Sequence, residues 1–467
     1  MSHKPTIIAV ATPSGSGAIA VIRLSGPQAI LWVNDCFQSI KPKKLIDQKS
    51  HTVHLGYLHE GEAVIDQVLV TLFRGPHSYT GEDVVEISCH GSTYIQQRIM
   101  QLFLGLGAQV AQGGEFTLRA FLNGKMDLSQ AEAVADLIQS ESEAAHQIAL
   151  QQMRGGFGSQ LKDLRAQLMH FASLIELELD FAEEDVAFAD RTALQQLLQN
   201  ISEVLKSLID SFALGNVLKN GVPVAIIGPP NAGKSTLLNT LLNEDKALIS
   251  DIPGTTRDAI EDEINLRGVR FRLIDTAGIR QTQDVVEQMG IKKSFEKTAQ
   301  ASLVLYLFDS VEAAQNKAYL TELLSGFDAL KTEFPDKHLL LLANKADGLT
   351  TSEQSTLETT LPPFTYIAAK NKTGIDSLID QLLAHVLQGR HHQGNTIVTN
   401  SRHYALLLLS QEAIDQVKQG IAQNRSSDLL AVDIRQALQH FGAITGEISS
   451  DELLGNIFSN FCILFPA

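Results

Sequence analysis

Residues 228–236 read Gly-Pro-Pro-Asn-Ala-Gly-Lys-Ser-Thr, a glycine-rich loop that ends in a lysine and two hydroxyl residues. Glycines at this spacing let successive backbone N–H groups turn inward around a β-phosphate. The Lys234 ammonium would then reach the β- and γ-phosphate oxygens, and the Ser235 hydroxyl would ligate Mg²⁺. The spacing therefore predicts a nucleotide phosphate site, built from Asn231, Ala232, Gly233, Lys234, Ser235 and Thr236.

A second segment, Asn344-Lys345-Ala346-Asp347, follows an apolar run and carries a carboxylate that can accept two N–H donors from guanine. Adenine offers no such pair of donors, so the carboxylate would stay desolvated at a cost of about 1–3 kcal/mol. Further along the chain, Ala368-Ala369-Lys370 stands where GTPases often carry Ser-Ala-Lys. Together these segments predict a guanine nucleotide.

Two segments between these motifs fit the sensing of a γ-phosphate. Asp275, in Asp275-Thr276-Ala277-Gly278, would hold Mg²⁺ through water, and the Gly278 N–H would contact the γ-phosphate. A switch threonine for the metal is available in the segment made of Asp251, Ile252, Pro253, Gly254, Thr255 and Thr256. The pattern predicts a GTP-binding switch domain.

The residue after this Asp-Thr-Ala-Gly segment departs from Ras-like GTPases. They place a glutamine there to orient the attacking water, whereas this chain has Ile279, which cannot hydrogen-bond to water. Hydrolysis then needs another charge or orienting group, and one physical solution is an additional cation. The Asn231 side-chain oxygen could ligate such an ion, although an asparagine in this loop could equally be a turn residue.

The elements around the motifs fall into three textures. Residues 1 to about 120 mix short β-prone runs with glycine-rich turns, which is typical of an α+β domain. From about Asp127 apolar residues recur every three or four positions, and this stripe predicts long helices. Strands and helices alternate over about 214–380, as in a parallel α/β sheet, and helical periodicity returns after about Ser401.

Composition narrows the functional class. The chain has 467 residues, too many for one ordinary core, and a net charge of −16, which argues against non-specific coating of nucleic acid. Three scattered cysteines give neither a disulfide framework nor a metal spacing, so we expect a cytoplasmic protein. No apolar run approaches the ~20 residues that span a bilayer, so we expect no membrane partner.

Several stretches together resemble the MnmE (TrmE) family of tRNA modification GTPases. They are ATPSGSGAIAVIRLSG, SYTGEDVVEISCHG, GGEFTLRAFLNGKMDLSQAEAVADLI, GPPNAGKST, DIPGTTRD, DTAGIR, NKAD and ITGEISSDELLGNIFSNFCI. The resemblance implies an α+β N-terminal domain at 1–121, an all-α helical domain at 122–213 plus 380–467, and an inserted α/β P-loop GTPase (Ras-like) domain at 214–379.

The resemblance also implies an activity. Family members form homodimers through the N-terminal domain, bind a tetrahydrofolate derivative there (5-formyl- or 5,10-methylene-tetrahydrofolate), and hydrolyse GTP when K⁺ brings two GTPase domains together. With the FAD-dependent partner MnmG, in a heterotetramer, they add a (carboxymethyl)aminomethyl group to carbon 5 of the wobble uridine of certain tRNAs. The alternative is a GTP-controlled RNA-binding assembly factor of the Era/EngA type, which would need a basic flanking domain that we do not find.

Residue by residue, the resemblance assigns Asn231 and backbone groups of Ser250, Ile252 and Thr255 to K⁺. It assigns Ser235 and Thr256 to Mg²⁺, and Glu287 to indirect positioning of the hydrolytic water. The folate positions are Arg23, Glu86 and Lys125, which suit a pterin and a glutamate tail. Taken singly, Glu287 could be a solvated helix-face carboxylate, and each folate position a surface residue or a local ion pair.

The C-terminus departs from the family, which ends Phe-Cys-[Ile/Leu/Val]-Gly-Lys. Here Phe461-Cys462-Ile463 is followed by Leu-Phe-Pro-Ala, so the contact of the family's last lysine with folate is in doubt. Cys462 is either a residue of the modification chemistry or a small buried apolar residue. We expect GTP hydrolysis to survive this change at the C-terminus, whereas tRNA modification would be lost if it requires the missing lysine.

Overall fold

In the part of the chain that the structure describes, the strands form two separate β-sheets, one in each of two units. The computed structural model describes residues 4–180, 190–246, 262–274, 296, 298–387, 397–459 and 461. One unit comprises Met1–Gln139, Ala149–Lys206 and Ala405–Ala467, and the other comprises Ser140–Ile148 and Ser207–Tyr404.

The first unit contains a mixed sheet in the order β3-β4-β5-β6-β2-β1-β7 among the described residues. Its strands are β1 (Ile7–Val10), β2 (Ile19–Ser25), β3 (Phe37–Ser39), β4 (Thr52–Glu60), β5 (Ala63–Phe73), β6 (Val84–His90) and β7 (Gln109–Val110). All neighbours pair antiparallel except β1 and β7. The predicted α+β texture of this region is confirmed.

The helices account for most of the remaining chain. They are α1 (Ala29–Cys36), α2 (Thr93–Gly105), α3 (Glu115–Leu122), α4 (Leu128–Ile138), α5 (Glu143–Met153), α6 (Gly156–Asp180), α7 (Arg191–Asn220), α8 (Lys234–Lys246), α9 (Ser310–Gln315), α10 (Lys317–Glu333), α11 (Thr351–Thr360), α12 (Ile375–Leu387), α13 (Ser401–Ala422), α14 (Ser427–Thr445) and α15 (Asp451–Ser459).

Because side chains alternate along a strand, the first sheet has one face that packs in the core and one that points away from it. Ile22 and Leu24 of β2 and Ile87 of β6 are buried in one cluster with residues of α1 and α2. Arg23 and Glu86 are cross-strand partners whose side chains alternate to the opposite face. The alternation of the sequence therefore places this ion pair away from the core.

The long apolar stripe forms helices as predicted. Leu161, Leu168 and Ile175 of α6 are fully buried, because their spacing keeps them on one face of the helix. Gly155 lies between α5 and α6, and it has a φ of +110° that side chains rarely adopt. Among the described residues, the helices do not include one both long and apolar enough to cross a bilayer.

The second unit contains a sheet in the order β13-β12-β11-β8-β10-β9 among the described residues. Its strands are β8 (Val222–Ile227), β9 (Asp262–Leu266), β10 (Val269–Leu273), β11 (Leu303–Asp309), β12 (His338–Asn344) and β13 (Thr365–Tyr366). Only the β9–β10 pair is antiparallel.

Helices cover both faces of this second sheet. One core cluster joins the sheet to α8 and α12, and another joins it to α9, α10 and α11. Strand β11 is buried along its whole length, as expected of a central strand in a parallel sheet. In such sheets ligands bind at the carboxyl ends of the strands, which is where the predicted nucleotide motifs lie.

Candidate nucleotide-binding site

The phosphate loop connects the end of β8 with the first residue of α8. Gly228 begins the loop with a φ of +142°, and a Cβ there would lie 1.9 Å from the carbonyl oxygen of Leu307 on the neighbouring strand. Only glycine permits this conformation together with so close an approach. The first glycine of the motif is therefore required by the packing of β8 beside β11.

The loop carbonyls hold the ammonium of Lys234 over the loop. Its Nζ donates to the carbonyl oxygens of Gly228, at 2.8 Å, and Pro229, at 2.7 Å. Because Lys234 is the first residue of α8, its side chain reaches back across the helix N-terminus, whose partial positive charge also favours phosphate. The loop therefore combines a lysine ammonium and a helix N-terminus, the groups that the predicted phosphate site requires.

Asn344 is the first residue of the guanine loop, Asn344-Lys345-Ala346-Asp347, and it joins the phosphate loop to the Ala368-Ala369-Lys370 segment. Its Nδ2 donates to the carbonyl oxygen of Ala232 at 2.8 Å, and its Oδ1 accepts from the Ala369 N–H at 3.0 Å. Gly233 lies against this amide with a φ of +96°, and a Cβ there would come within 2.2 Å of Nδ2. Asn344 is only 3% exposed, so its bonds are shielded from water.

The other residues of the guanine loop cluster at the same edge. The Ala346 N–H donates to the carbonyl oxygen of Ile367 at 3.1 Å, which ties this loop to the next. Asp347 Oδ2 accepts from Asn371 Nδ2 at 2.7 Å, in an exposed position open to a base. The carboxylate predicted to recognise guanine is thus fixed by a neighbouring amide.

The Ala368-Ala369-Lys370 segment forms a closed loop through its backbone. Ala368 and Thr373 pair by an antiparallel bridge, and the carbonyl oxygen of Ala369 accepts from the Thr240 hydroxyl at 2.9 Å. Because these bonds involve backbone atoms, alanine in place of serine leaves the loop intact. Ala369 is buried against the strand ends, whereas Lys370 is exposed.

The predicted metal ligands are partly within the described chain. Asn231 is exposed in the loop with a φ of +59°, a conformation that asparagine tolerates better than most residues. Ser235 follows Lys234 at the start of α8, and Thr236 follows Ser235. The other nucleotide, metal and water-positioning residues lie outside the described residues: Ser250, Asp251, Ile252, Pro253, Gly254, Thr255, Thr256, Asp275, Thr276, Ala277, Gly278 and Glu287.

A second candidate site lies on the outward face of the first sheet. Arg23 donates to Glu86 Oε1 from Nε at 2.8 Å and from Nη2 at 2.7 Å. The guanidinium carbon of Arg23 lies 5.6 Å from the ring centre of Tyr79 and 5.5 Å from that of Phe116. A cation near two aromatic rings and beside a carboxylate forms a surface suited to a flat, polar heterocycle.

Lys125 reaches the same neighbourhood through the loop before β6. Its Nζ donates to the carbonyl oxygen of Pro76 at 2.9 Å, and its stem lies beside Gly81. Tyr79 belongs to this loop and shares a hydrogen bond of 2.9 Å with Thr117. The three predicted folate positions are therefore a direct pair, Arg23 and Glu86, and a lysine linked to them by one loop.

Sequence reasoning missed four residues of these sites. Tyr79 and Phe116 place their rings near the Arg23 guanidinium, although both stood in the stretches SYTGEDVVEISCHG and GGEFTLRAFLNG that carried the resemblance. Thr240 donates a hydrogen bond to Ala369, and Asp309 accepts one from Lys345 of the guanine loop. An aromatic or an aspartate outside a motif gives no signal before the chain is folded.

Two of the three cysteines are poor nucleophiles at neutral pH. Burial raises the pKa of Cys89 to about 11, and burial with the nearby Asp35 carboxylate raises the pKa of Cys36. The third, Cys462, lies outside the described residues. Neither described thiol is therefore suited to the modification chemistry.

Comparison with known proteins points in one direction along the whole chain. The model of the MnmE helical domain matches residues 128–462, and the model of the GTP-binding protein TrmE N-terminus matches residues 6–125. The tRNA modification GTPase MnmE of Flavobacterium psychrophilum is 58% identical over 463 residues, covering 99% of this chain and 100% of that protein.

Two further relatives carry the same description. The tRNA modification GTPase MnmE of Flavobacterium johnsoniae is 58% identical over 467 residues, covering 99% of this chain and 100% of that protein. That of Bacteroides fragilis strain ATCC 25285 is 50% identical over 469 residues, covering 99% of both chains. The matches run from the first sheet through the nucleotide site to α15.

Proposed function

The chain belongs to the MnmE family of tRNA modification GTPases, and from this membership we propose how its sites work. It is a GTP-hydrolysing enzyme of tRNA modification that forms GDP and phosphate. The observation that carries the nucleotide assignment is the position of Asn344, which belongs to the guanine loop and bonds the phosphate loop at Ala232 and the Ala368-Ala369-Lys370 segment at Ala369. One buried side chain thereby sets the distance between base and phosphates.

The phosphate loop fits Mg²⁺ and, in our proposal, K⁺. Ser235 offers a hydroxyl beside Lys234, a donor that suits Mg²⁺, and Thr256 would be the second protein ligand. Asn231 offers an exposed amide oxygen in the loop, and backbone groups of Ser250, Ile252 and Thr255 would complete the K⁺ shell. The cation would supply positive charge between the β- and γ-phosphates, where Ile279 cannot help.

The remaining catalytic proposal concerns the water and the dimer. We propose that Glu287 positions the hydrolytic water indirectly, and that two GTPase domains of a homodimer meet when GTP and K⁺ bind. We infer this arrangement from membership of the family and from Ile279, which stands where Ras-like GTPases carry the glutamine that orients water. We further propose a division into an N-terminal folate-binding and dimerisation domain at 1–121, a helical domain at 122–213 plus 380–467, and an inserted GTPase domain at 214–379.

The Arg23 surface is proposed to bind a tetrahydrofolate derivative, 5-formyl- or 5,10-methylene-tetrahydrofolate. Glu86 can accept N–H donors from a pterin, Tyr79 and Phe116 can pack on its ring, and Lys125 can pair with the glutamate tail. The folate would supply the one-carbon unit. With MnmG, in a heterotetramer in the cytoplasm, the enzyme would add a (carboxymethyl)aminomethyl group to the wobble uridine.

The test is the nucleoside content of tRNA from a bacterial strain that lacks its own family member. Expression of this chain should restore the modified wobble uridine, measured by mass spectrometry, and Asp347→Asn should restore far less. Ribosomal subunit profiles from the same cells separate the alternative, since an Era/EngA-type assembly factor would correct ribosome assembly instead. Unmodified tRNA in cells that contain active GTPase would overturn the proposal.

A further inference from the structure

The carboxyl ends of β11 and β12 lie side by side, with Asp309 directly opposite Asn344 in the register. Asn344 and Lys345 belong to the guanine loop, whereas Asp309 lies outside every nucleotide motif of the sequence. The following residue, Ser310, is fully buried and donates its hydroxyl to the carbonyl oxygen of Asn344 at 2.7 Å. The end of β11 therefore contacts the guanine loop directly.

The carboxylate of Asp309 is held from two sides. Its Oδ1 accepts from the N–H groups of Val311, at 3.0 Å, and Glu312, at 3.2 Å, and so caps α9. Its Oδ2 accepts from the Lys345 ammonium at 2.5 Å. The Asp309 side chain is 11% exposed, so a fixed and largely buried negative charge faces Lys345.

Lys345 itself has an unusual backbone conformation. Its φ is +63°, in the left-handed region, which costs a residue with a side chain about 1–2 kcal/mol. This conformation turns the chain from β12 into the short 3₁₀ turn Ala346–Gly348, which carries Asp347. A free lysine side chain samples many rotamers, whereas the ion pair fixes its ammonium end.

We propose that Asp309 is a positioning residue for guanine: it anchors Lys345, and through it the turn that presents Asp347 to the base. This inference rests on the proposed GTP-binding function and adds a residue to it.

The test begins with Asp309→Asn, which removes the charge and keeps the α9 cap, since asparagine caps as well as aspartate. The dissociation constant for GDP should rise about tenfold, the loss expected for one charge-assisted hydrogen bond. The kcat at saturating GTP should stay near the wild-type value, because no reacting atom is touched. An unchanged GDP affinity would overturn the inference.

The base itself provides the readout that a structural role would not move. Inosine diphosphate lacks the 2-amino donor that Asp347 accepts, so Asp309→Asn should weaken its binding less than that of GDP. Asp309→Ala removes the cap as well and should lower the melting temperature further with the same GDP loss. GDP loss in Asp309→Ala alone, with wild-type binding by Asp309→Asn, would make Asp309 only a helix cap and contradict the proposal.

A double-mutant cycle with Lys345→Met completes the test. If the pair acts as a unit, the double variant should bind GDP no more weakly than Lys345→Met alone. Additive losses would show that Asp309 acts without Lys345 and would overturn the inference. Wild-type protein that bound no GDP would instead refute the proposed function, so the two failures are distinguishable.

Discussion

Asn344 and Ala232 are 112 residues apart in the chain, yet the Asn344 amide donates to the Ala232 carbonyl oxygen at 2.8 Å in a buried position. The same amide accepts from the loop that follows β13. The phosphate loop and the loop after β13 are therefore linked by the protein's own hydrogen bonds, without a nucleotide. Ordering of these two loops before a nucleotide binds would lower the entropic cost of binding.

Asn344→Ala should weaken both stability and nucleotide binding. The substitution leaves the Ala232 carbonyl and the Ala369 N–H without this partner in a buried site, at a cost of about 1–3 kcal/mol. Calorimetry should show a lower melting temperature and GDP titration a weaker affinity. Asn220→Ala, which removes an exposed amide bonded to Asn216, is the matched control. Wild-type GDP affinity in Asn344→Ala would contradict the linking role.

Asp347→Asn should shift nucleotide preference from GTP toward xanthosine triphosphate. The amide oxygen can keep the Asn371 contact and the amide nitrogen can donate to the 2-oxo group of xanthine. GTP loses one acceptor and should bind at least ~10-fold more weakly. Competition of the two triphosphates in a hydrolysis assay measures the ratio, and an unchanged ratio would remove Asp347 from the base site.

Arg23→Ala should abolish most binding of 5-formyl-tetrahydrofolate. The change removes the cation near the Tyr79 and Phe116 rings and leaves Glu86 without that partner. Isothermal calorimetry should show a dissociation constant at least ~10-fold higher. Arg98→Ala, which breaks the more exposed Arg98–Glu60 pair of the same sheet domain, should bind as wild type. Equal folate uptake by Arg23→Ala and wild type would refute the assignment.

The stacked pair of His338 and His385 should make the second unit sensitive to mild acid. Their ring centres are 3.8 Å apart; burial lowers the pKa of both rings, and His338 also lowers the pKa of His385. The unfolded chain then takes up protons first as the pH falls below about 6.5, so stability falls there by up to ~1.4 kcal/mol per pH unit for each histidine.

Replacing both rings, in His338→Phe/His385→Phe, keeps an aromatic stack and removes the titration. The melting temperature of this variant should fall less than that of wild type between about pH 6.5 and 5. His170→Phe, at an exposed ring, controls for the loss of a histidine. Parallel curves for wild type and the double variant would show that the pair is not responsible.

The positions of the phosphate loop and of the Asn344–Asp347 segment at strand ends could be predicted from the sequence, because these motifs are local. Gly228 and Gly233 are needed where backbones or side chains approach within 2.2 Å of a Cβ, and such positions are visible as glycines at fixed spacing. The alternation that places Arg23 and Glu86 on one face follows from the period of a strand. The helical stripe from Leu161 onward was equally readable, because burial of one face repeats every three or four residues.

The missed residues depend on contacts between distant parts of the chain. Asp309 and Lys345 are 36 residues apart and meet only because β11 and β12 are neighbours in the sheet. Phe116 reaches Arg23 from α3, and a phenylalanine in a helix reads as core until the fold is known. Strand order and the path of loops are set by tertiary packing, which a single sequence does not encode as a local pattern.

The most direct test of the proposed catalytic arrangement is the rate of GTP hydrolysis in K⁺ and in Na⁺ over a range of protein concentrations. With Ile279 unable to orient water and Asn231 placed to ligate a cation, hydrolysis should be at least ~10-fold faster in K⁺. The rate per protomer should rise with protein concentration only in K⁺, and Asn231→Ala should remove the difference between the salts. Equal rates in both salts, independent of concentration, would contradict it.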